Sequence, residues 1–187
     1  ESGVASCLKH FPGLGTIAAD THEVLPVLDG IYDPTRELAP YRDLIQGPHP
    51  PEMVMAAHLI WPHRDPERPA SRSRVVLTDV LRDELGFEGV VATDSLDMGA
   101  ALEGTVPETA VTDALAAGAD ALLYAANLAD DEFDDGHPAL RLATALAGAV
   151  DAAALHLLIG APELVNAPVA RRRLDQLRQL ADIPQGR

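Results

Sequence analysis

Two short stretches near the start of the chain place basic, acidic and imidazole groups close together. Lys9 and His10 directly follow an apolar segment, and the Pro-Gly pair at 12–13 favours a rigid bend after them. Asp20 and His22 are two residues apart, so in an extended loop their side chains point to the same side. Asp20 could therefore hold the imidazole of His22, and such a histidine can protonate a leaving group and later deprotonate water. A solvated loop with an Asp-capped turn has the same spacing, so the pattern alone leaves both interpretations open.

Two more groups stand where apolar segments end. Asp94 follows one such segment, and a carboxylate there can be a nucleophile, a base or a metal ligand. We assign Asp97 to the start of a following helix. No other acidic residue or histidine stands at metal-ligand spacing around Asp94, so a metal is not required. His58 ends another apolar segment, either as a substrate-binding group or as a packed, hydrogen-bonded histidine.

The hydrophobic pattern predicts the elements that must position these groups. Four nearly continuous apolar runs predict buried parallel strands, at Val4–Leu8, Met53–Ala57, Gly89–Thr93 and Ala119–Tyr124. Apolar spacing of three to four residues, with capping residues at the ends, predicts helices, at Tyr41–Ile45, Ser73–Leu85, Thr109–Ala117, Leu140–Val150 and Val169–Ala181.

The alternation of strands and helices predicts a parallel α/β architecture. A doubly wound open sheet and a (β/α)₈ barrel both fit it, and both place functional groups at the carboxyl ends of their strands. A complete barrel needs about 250 residues and eight strands. With four strands in 187 residues, a barrel here is the second half, strands 5–8.

Composition excludes some classes of function. The formal net charge of -15 repels nucleic-acid phosphates and anionic lipid, so we expect no nucleic-acid partner. No apolar run is long enough to span a membrane. Cys7 is the only cysteine and stands in an apolar run, so we expect a buried thiol and no internal disulfide.

The chain starts at Glu1, without an initiator Met, and enters an apolar strand almost at once. We therefore expect the C-terminal part of a longer protein, which leaves the compartment open.

Four motifs identify a family by resemblance. They are LKHFPG at 8–13, DTH at 20–22 with LP at 25–26, MAAHLIWP at 55–62, and LRDELGFEGVVATDSLDM at 81–98. In this order they resemble the β-N-acetylhexosaminidases of glycoside hydrolase family 3, with the usual patterns KHFPGHG, DSH and GLP. The resemblance runs from about residue 2 to residue 124. It implies that residues 1–187 are the C-terminal part of the family's catalytic barrel domain.

The resemblance also implies a role for each matching residue. Asp94 is the nucleophile that forms a covalent glycosyl-enzyme, so that configuration is retained. His22 is the general acid/base and Asp20 is its partner. Lys9 and His10 bind sugar hydroxyls, and His58 is expected with them at the substrate. No cofactor is implied.

The DTH loop is typical of the hexosaminidase branch, which removes terminal β-linked N-acetylglucosamine from cell-wall or chitin fragments. Two positions depart from the family pattern and bear on the loop: Leu14 replaces a histidine, and Val24 replaces a small residue. The family's first four strands supply an Asp and an Arg to the sugar, so we expect a missing N-terminal half-barrel and an inactive isolated chain. A glycoside phosphorylase and a non-catalytic sugar-binding relic are the alternative functions.

Overall fold

The computed structural model describes residues 5–15, 17–28 and 33–123. Its centre is a four-stranded parallel sheet, in which the strands lie side by side in the order in which they occur along the chain. The strands are β1 (Cys7–Phe11), β2 (Met53–Ala56), β5 (Val90–Ser95) and β6 (Ala121–Leu123). All four strands therefore end at one edge of the sheet.

The two middle strands form the centre of the core. Val54 and Ala56 on β2 and Val91 on β5 are fully buried, as expected for the central strands of a parallel sheet that is packed against helices. Phe11 on β1 packs edge-on against Tyr41, with ring centroids 5.1 Å apart. The four predicted strands are confirmed with shifted ends. β1 runs three residues further than predicted, so Lys9 and His10 lie inside the strand rather than after it.

The helices lie between these strands. They are α1 (Pro34–Glu37), α2 (Ala39–Ile45), a 3₁₀ turn (Ala70–Arg72), a π-type helix (Val75–Glu84), α3 (Gly99–Leu102) and α4 (Pro107–Ala117). The helix predicted at Ser73–Leu85 forms with its apolar face buried as expected. Its winding is wider than that of an α-helix, as the bond from the Leu85 N–H to the Val80 carbonyl shows. Apolar periodicity detects the buried face, but it does not distinguish the two windings.

The hydrophobic pattern did not predict the antiparallel hairpin of β3 (Ile60–Trp61) and β4 (Asp65–Pro69). Prolines at 62, 66 and 69 argue against a strand. The hairpin forms because side-chain hydrogen bonds take the place of some backbone hydrogen bonds between its strands. Asp65 accepts bonds from the backbone N–H groups of Glu67 and Arg68, and its second oxygen accepts one from the Ser73 hydroxyl, at 2.7 Å.

Cys7 is exposed, so the prediction of a buried thiol is wrong. The residue lies on β1, which is the edge strand of the described sheet, and the side of the strand that bears Cys7 and Lys9 is uncovered. Among the described residues, no helix is long and apolar enough to cross a membrane. The helices predicted at 140–150 and 169–181, together with Tyr124, lie outside the described residues.

A largely buried ion pair holds the amino-terminal end of β5. The Arg82 guanidinium donates to the carbonyls of Phe87 and Gly89 and to the Asp120 carboxylate. Asp120 in turn accepts a bond from the Val91 N–H, at 2.8 Å. The pair therefore joins the π-type helix, β5 and the segment before β6 at the edge of the sheet opposite to the predicted site.

Candidate active site

His10 reaches the site because β1 is irregular at this residue. Lys9 is paired with Met55 and Phe11 with Ala56, so His10 is one residue more than β2 can pair. Such a bulge turns a side chain away from regular alternation. The Lys9–His10 and Phe11–Pro12 peptide bonds are both cis.

His10 and Asp94 meet at the carboxyl edge of the sheet, although β2 lies between their strands. His10 Nε2 is 3.6 Å from Asp94 Oδ2, and both side chains are partly accessible, at 29% and 19%. Burial lowers the pKa of His10 below its ordinary value, and the opposing effect of the Asp94 carboxylate is smaller. The ring is therefore neutral at neutral pH, and it can share a hydrogen bond with a substrate hydroxyl beside the carboxylate.

The strand end fixes the orientation of the Asp94 carboxylate. Oδ1 accepts the backbone N–H of Ser95 at 2.8 Å, whereas Oδ2 faces His10. Asp97 lies in the turn between β5 and α3, where its carboxylate accepts the Ser95 hydroxyl. One oxygen of Asp94 is thus held by the backbone, and the other lies on the open side of the site.

His58 is buried beneath the site, with 1% of its surface exposed. Its Nδ1 lies 2.7 Å from the Ser71 hydroxyl, and its Nε2 lies 3.0 Å from the Ser95 carbonyl. A carbonyl only accepts, so Nε2 bears the proton and Nδ1 accepts from Ser71. Burial lowers the pKa of His58 and outweighs the opposing effects of the Ser95 carbonyl and Asp94, so the ring is neutral. These contacts are those of the packed, hydrogen-bonded alternative, and both ring nitrogens are occupied by protein groups.

Asp20 and His22 form a hydrogen-bonded pair, one of the two arrangements that their spacing left open. Asp20 Oδ1 lies 2.7 Å from His22 Nδ1 and also accepts the His22 backbone N–H at 2.9 Å. These two bonds, the backbone one above all, hold the pKa of Asp20 below its usual value. An ionised carboxylate only accepts, so Nδ1 of His22 bears the proton of this hydrogen bond. Both side chains are largely exposed, at 62% and 76%.

The loop that bears this pair docks on the segment that follows β5. Gly99, five residues after Asp94 in the chain, donates its N–H to the His22 carbonyl at 2.8 Å. The Glu103 carboxylate accepts the Leu25 N–H at 2.8 Å. Sequence reasoning missed Gly99 and Glu103, and nothing in the local pattern pointed to a contact spanning 78 residues.

The remaining predicted residues lie around these groups. Lys9 is exposed on β1, and its positive charge acts on both His10 and Cys7. Leu14 packs against the main core, so this substitution provides an apolar anchor at the start of the loop. Val24 is exposed. Within the described ranges, no group of three or more His, Cys, Asp or Glu side chains could hold a metal ion.

Comparison with known proteins identifies the family of this chain. The family described as "Glycosyl hydrolase family 3 N terminal domain" matches residues 1–154. A beta-hexosaminidase from Idiomarina loihiensis is 40% identical over 126 residues, covering 66% of this chain and 37% of the relative. Beta-hexosaminidase A from Pseudoalteromonas piscicida is 37% identical over 135 residues, covering 65% of this chain and 22% of the relative.

Solved structures are similar over nearly the whole chain. A glycoside hydrolase family 3 beta-N-acetylglucosaminidase from Paenibacillus sp. is 31% identical with a TM-score of 0.71, covering 99% of this chain and 32% of that one. A beta-glucoside phosphorylase has a TM-score of 0.70 but only 22% identity, which shows a shared fold alone.

Acidic and imidazole groups at the carboxyl ends of parallel strands are the arrangement of an α/β enzyme. This chain belongs to glycoside hydrolase family 3, and the resemblance found in its motifs is confirmed. It spans between 22% and 39% of the length of the curated relatives described as beta-hexosaminidases.

Proposed function

We propose that this chain is the nucleophile-bearing part of a retaining β-N-acetylhexosaminidase. Its substrate is terminal β-linked N-acetylglucosamine on cell-wall or chitin-type saccharides. The observation that carries the proposal is the Asp20–His22 bond on a loop tied to the segment that follows Asp94. The relatives named beta-hexosaminidases support the substrate class.

In the first step, an oxygen of Asp94 attacks the anomeric carbon as the glycosidic C–O bond breaks. The leaving oxygen takes the proton from Nε2 of His22, while Asp20 stabilises the positive ring. In the second step, Nε2 takes a proton from water, whose oxygen displaces Asp94 from the anomeric carbon. Two displacements at one carbon retain the configuration. This sequence requires that His22 and Asp94 face each other across the sugar.

Lys9 and His10 are proposed to bind sugar hydroxyls, whereas His58 holds the strand end that presents Asp94. The second part of this assignment departs from the expectation that His58 contacts substrate. It follows from the bond between His58 Nε2 and the Ser95 carbonyl, directly after the nucleophile. His58 is therefore a positioning residue in this proposal.

We further propose that residues 1–187 are the C-terminal part of a (β/α)₈ barrel, strands 5–8. A strand order that follows the chain order supports this, since a doubly wound sheet reverses direction at a switch point. The rest of the barrel supplies the remaining sugar contacts, so the isolated chain is expected to be inactive. Assay of this chain beside the complete product of its gene tests this, and equal turnover would contradict it.

The mechanism is tested by trapping the covalent intermediate. A fluorinated N-acetylglucosaminyl donor with an activated leaving group, incubated with the complete gene product, is expected to add one sugar to the peptide bearing Asp94 by mass spectrometry. Asp94→Asn removes the label together with turnover. The exposed Asp83 offers a matched control, because Asp83→Asn makes the same change of charge on the π-type helix. A label on another residue, or full turnover in Asp94→Asn, excludes the proposed nucleophile.

Phosphate in place of water is the second candidate acceptor. A neutral imidazole base, unlike a carboxylate, does not repel an incoming anion, and His22 is the proposed base here. The products made with and without phosphate distinguish the two reactions: phosphorolysis yields a sugar phosphate and hydrolysis yields the free sugar. A sugar-binding relic would yield neither product.

A further inference from the structure

The segment after β5 forms a docking surface for the loop that bears Asp20 and His22. Two backbone N–H groups at the start of α3, which have no partner within a helix, donate to this loop. Gly99 donates to the His22 carbonyl at 2.8 Å, and Ala100 donates to the Thr21 carbonyl at 3.4 Å. These bonds attach the loop at the acid/base residue itself.

The loop approaches Gly99 more closely than any side chain would allow. A Cβ on Gly99 would lie 2.3 Å from the Glu23 carbonyl oxygen and 2.8 Å from the His22 carbonyl oxygen. Both neighbours are backbone atoms, which cannot rotate away as the end of a side chain can. Gly99 is not among the glycines with positive φ, so the glycine is required by the close contact and not by its own backbone conformation.

Glu103 makes a second attachment three residues further along the loop. Its carboxylate Oε2 accepts the Leu25 N–H at 2.8 Å. Glu103 is itself exposed and lies just after α3, so the bond joins two surface segments. Hydrogen bonds to an ionised acceptor are stronger than neutral ones.

The same segment also holds the nucleophile. Ser95 donates its N–H to Asp94 Oδ1, and the Ser95 carbonyl accepts the Met98 N–H at 3.2 Å, directly before Gly99. The chain from Asp94 to Glu103 is thus one continuous support for both groups. We propose that Gly99 and Glu103 are positioning residues that hold the His22 loop at the distance from Asp94 which proton transfer requires. This inference rests on the proposed function.

The test uses variants of the complete gene product and two N-acetylglucosaminides. The dinitrophenolate leaving group departs without being protonated, whereas the oxygen of an alkyl leaving group must be protonated as it departs. His22→Ala sets the reference pattern. In Gly99→Ala and Glu103→Ala we expect kcat/KM for the alkyl glycoside to fall about tenfold to a hundredfold. For the dinitrophenyl glycoside it should stay within about twofold, because that first step needs no acid.

Two variants control for fold and charge. Glu103→Gln keeps an acceptor for the Leu25 N–H and is expected to recover most of the activity lost in Glu103→Ala. Glu88→Ala removes the same charge from an exposed site just before the other end of β5 and should leave both substrates unchanged. Amide hydrogen exchange of peptides covering 17–28 gives a readout independent of catalysis, and it should rise in Gly99→Ala and Glu103→Ala only.

The outcomes distinguish a failure of the positioning role from a failure of the proposed function. If His22→Ala shows the dependence on leaving group and the Gly99 and Glu103 variants do not, the positioning role is wrong while the proposed function stands. If His22→Ala itself lacks this dependence, the acid/base assignment fails and the inference fails with it. An equal loss on both substrates also contradicts the inference. If Gly99→Ala does not fold, the two variants of the exposed Glu103, Glu103→Ala and Glu103→Gln, test the inference by the same criteria.

Discussion

His10 Nε2 and Asp94 Oδ2 lie 3.6 Å apart although an entire strand separates their backbones. The contact depends on the unpaired position of His10 in β1, where the pairing with β2 is irregular. It places a neutral hydrogen-bonding ring beside the proposed nucleophile.

Replacing His10 by Phe keeps an aromatic ring but removes both nitrogens. We expect kcat/KM on an N-acetylglucosaminide to fall about tenfold to a hundredfold, the loss of one hydrogen bond beside a charged group. Steady-state kinetics of the complete gene product measure this, with thermal unfolding as the check on folding. Unchanged kinetics would exclude His10 from the site.

Asp20→Asn is expected to lower kcat/KM about 10²-fold to 10⁴-fold. An amide can present an N–H to Nδ1 of His22, which favours the tautomer with its proton on the wrong nitrogen. The loss of kcat/KM should be large for alkyl glycosides and small for dinitrophenyl glycosides. Asp43→Asn, a matched change on the exposed side of α2, serves as the control. Equal effects of the two variants would contradict the role of Asp20.

His58 makes stability depend on pH. Its pKa in the fold lies below its ordinary value, mainly because of burial, so the unfolded chain binds the proton more tightly. The stabilising contribution is therefore complete above about pH 6.5 and is lost as pH falls below it. Burial also lowers the pKa of His10, so its contribution to stability depends on pH in the same direction.

Denaturant unfolding of wild type and His58→Gln between about pH 7.5 and about pH 5.5 tests this. The variant should be about 1–3 kcal/mol less stable at the higher pH, since Ser71 and the Ser95 carbonyl lose partners. Its stability should then change less on acidification. A pH dependence as steep as that of wild type would show that His58 does not cause it.

The Arg82–Asp120 pair should matter far more than a surface pair. Its side chains are 9% and 12% exposed, and breaking a buried pair costs about 3–5 kcal/mol. Arg82→Ala is expected to lose that much in free energy of unfolding. Arg74→Ala breaks an exposed contact with Asp79 at 4.0 Å and should cost about 0–1 kcal/mol. Similar losses in the two variants would contradict the structural role of the buried pair.

Much of the fold could be predicted because the signals are local. The helix predicted at Thr109–Ala117 forms as α4, which begins two residues earlier at Pro107. Gly118 follows its end with the φ of 112° that favours glycine at this position. The hairpin from Ile60 to Pro69 was missed, because the proline-rich segment lacks a strand pattern and depends on the side chain of Asp65.

The sequence by itself determined the alternating elements, the family motifs and the spacing that allows Asp20 to hold His22, since each depends on residues close in the chain. Only the tertiary structure decided that His10 faces Asp94, and that His58 turns inward to partners 13 and 37 residues away. It alone placed the His22 loop on Gly99 and Glu103. Contacts between distant residues depend on how the strands pack, so local sequence patterns do not predict them.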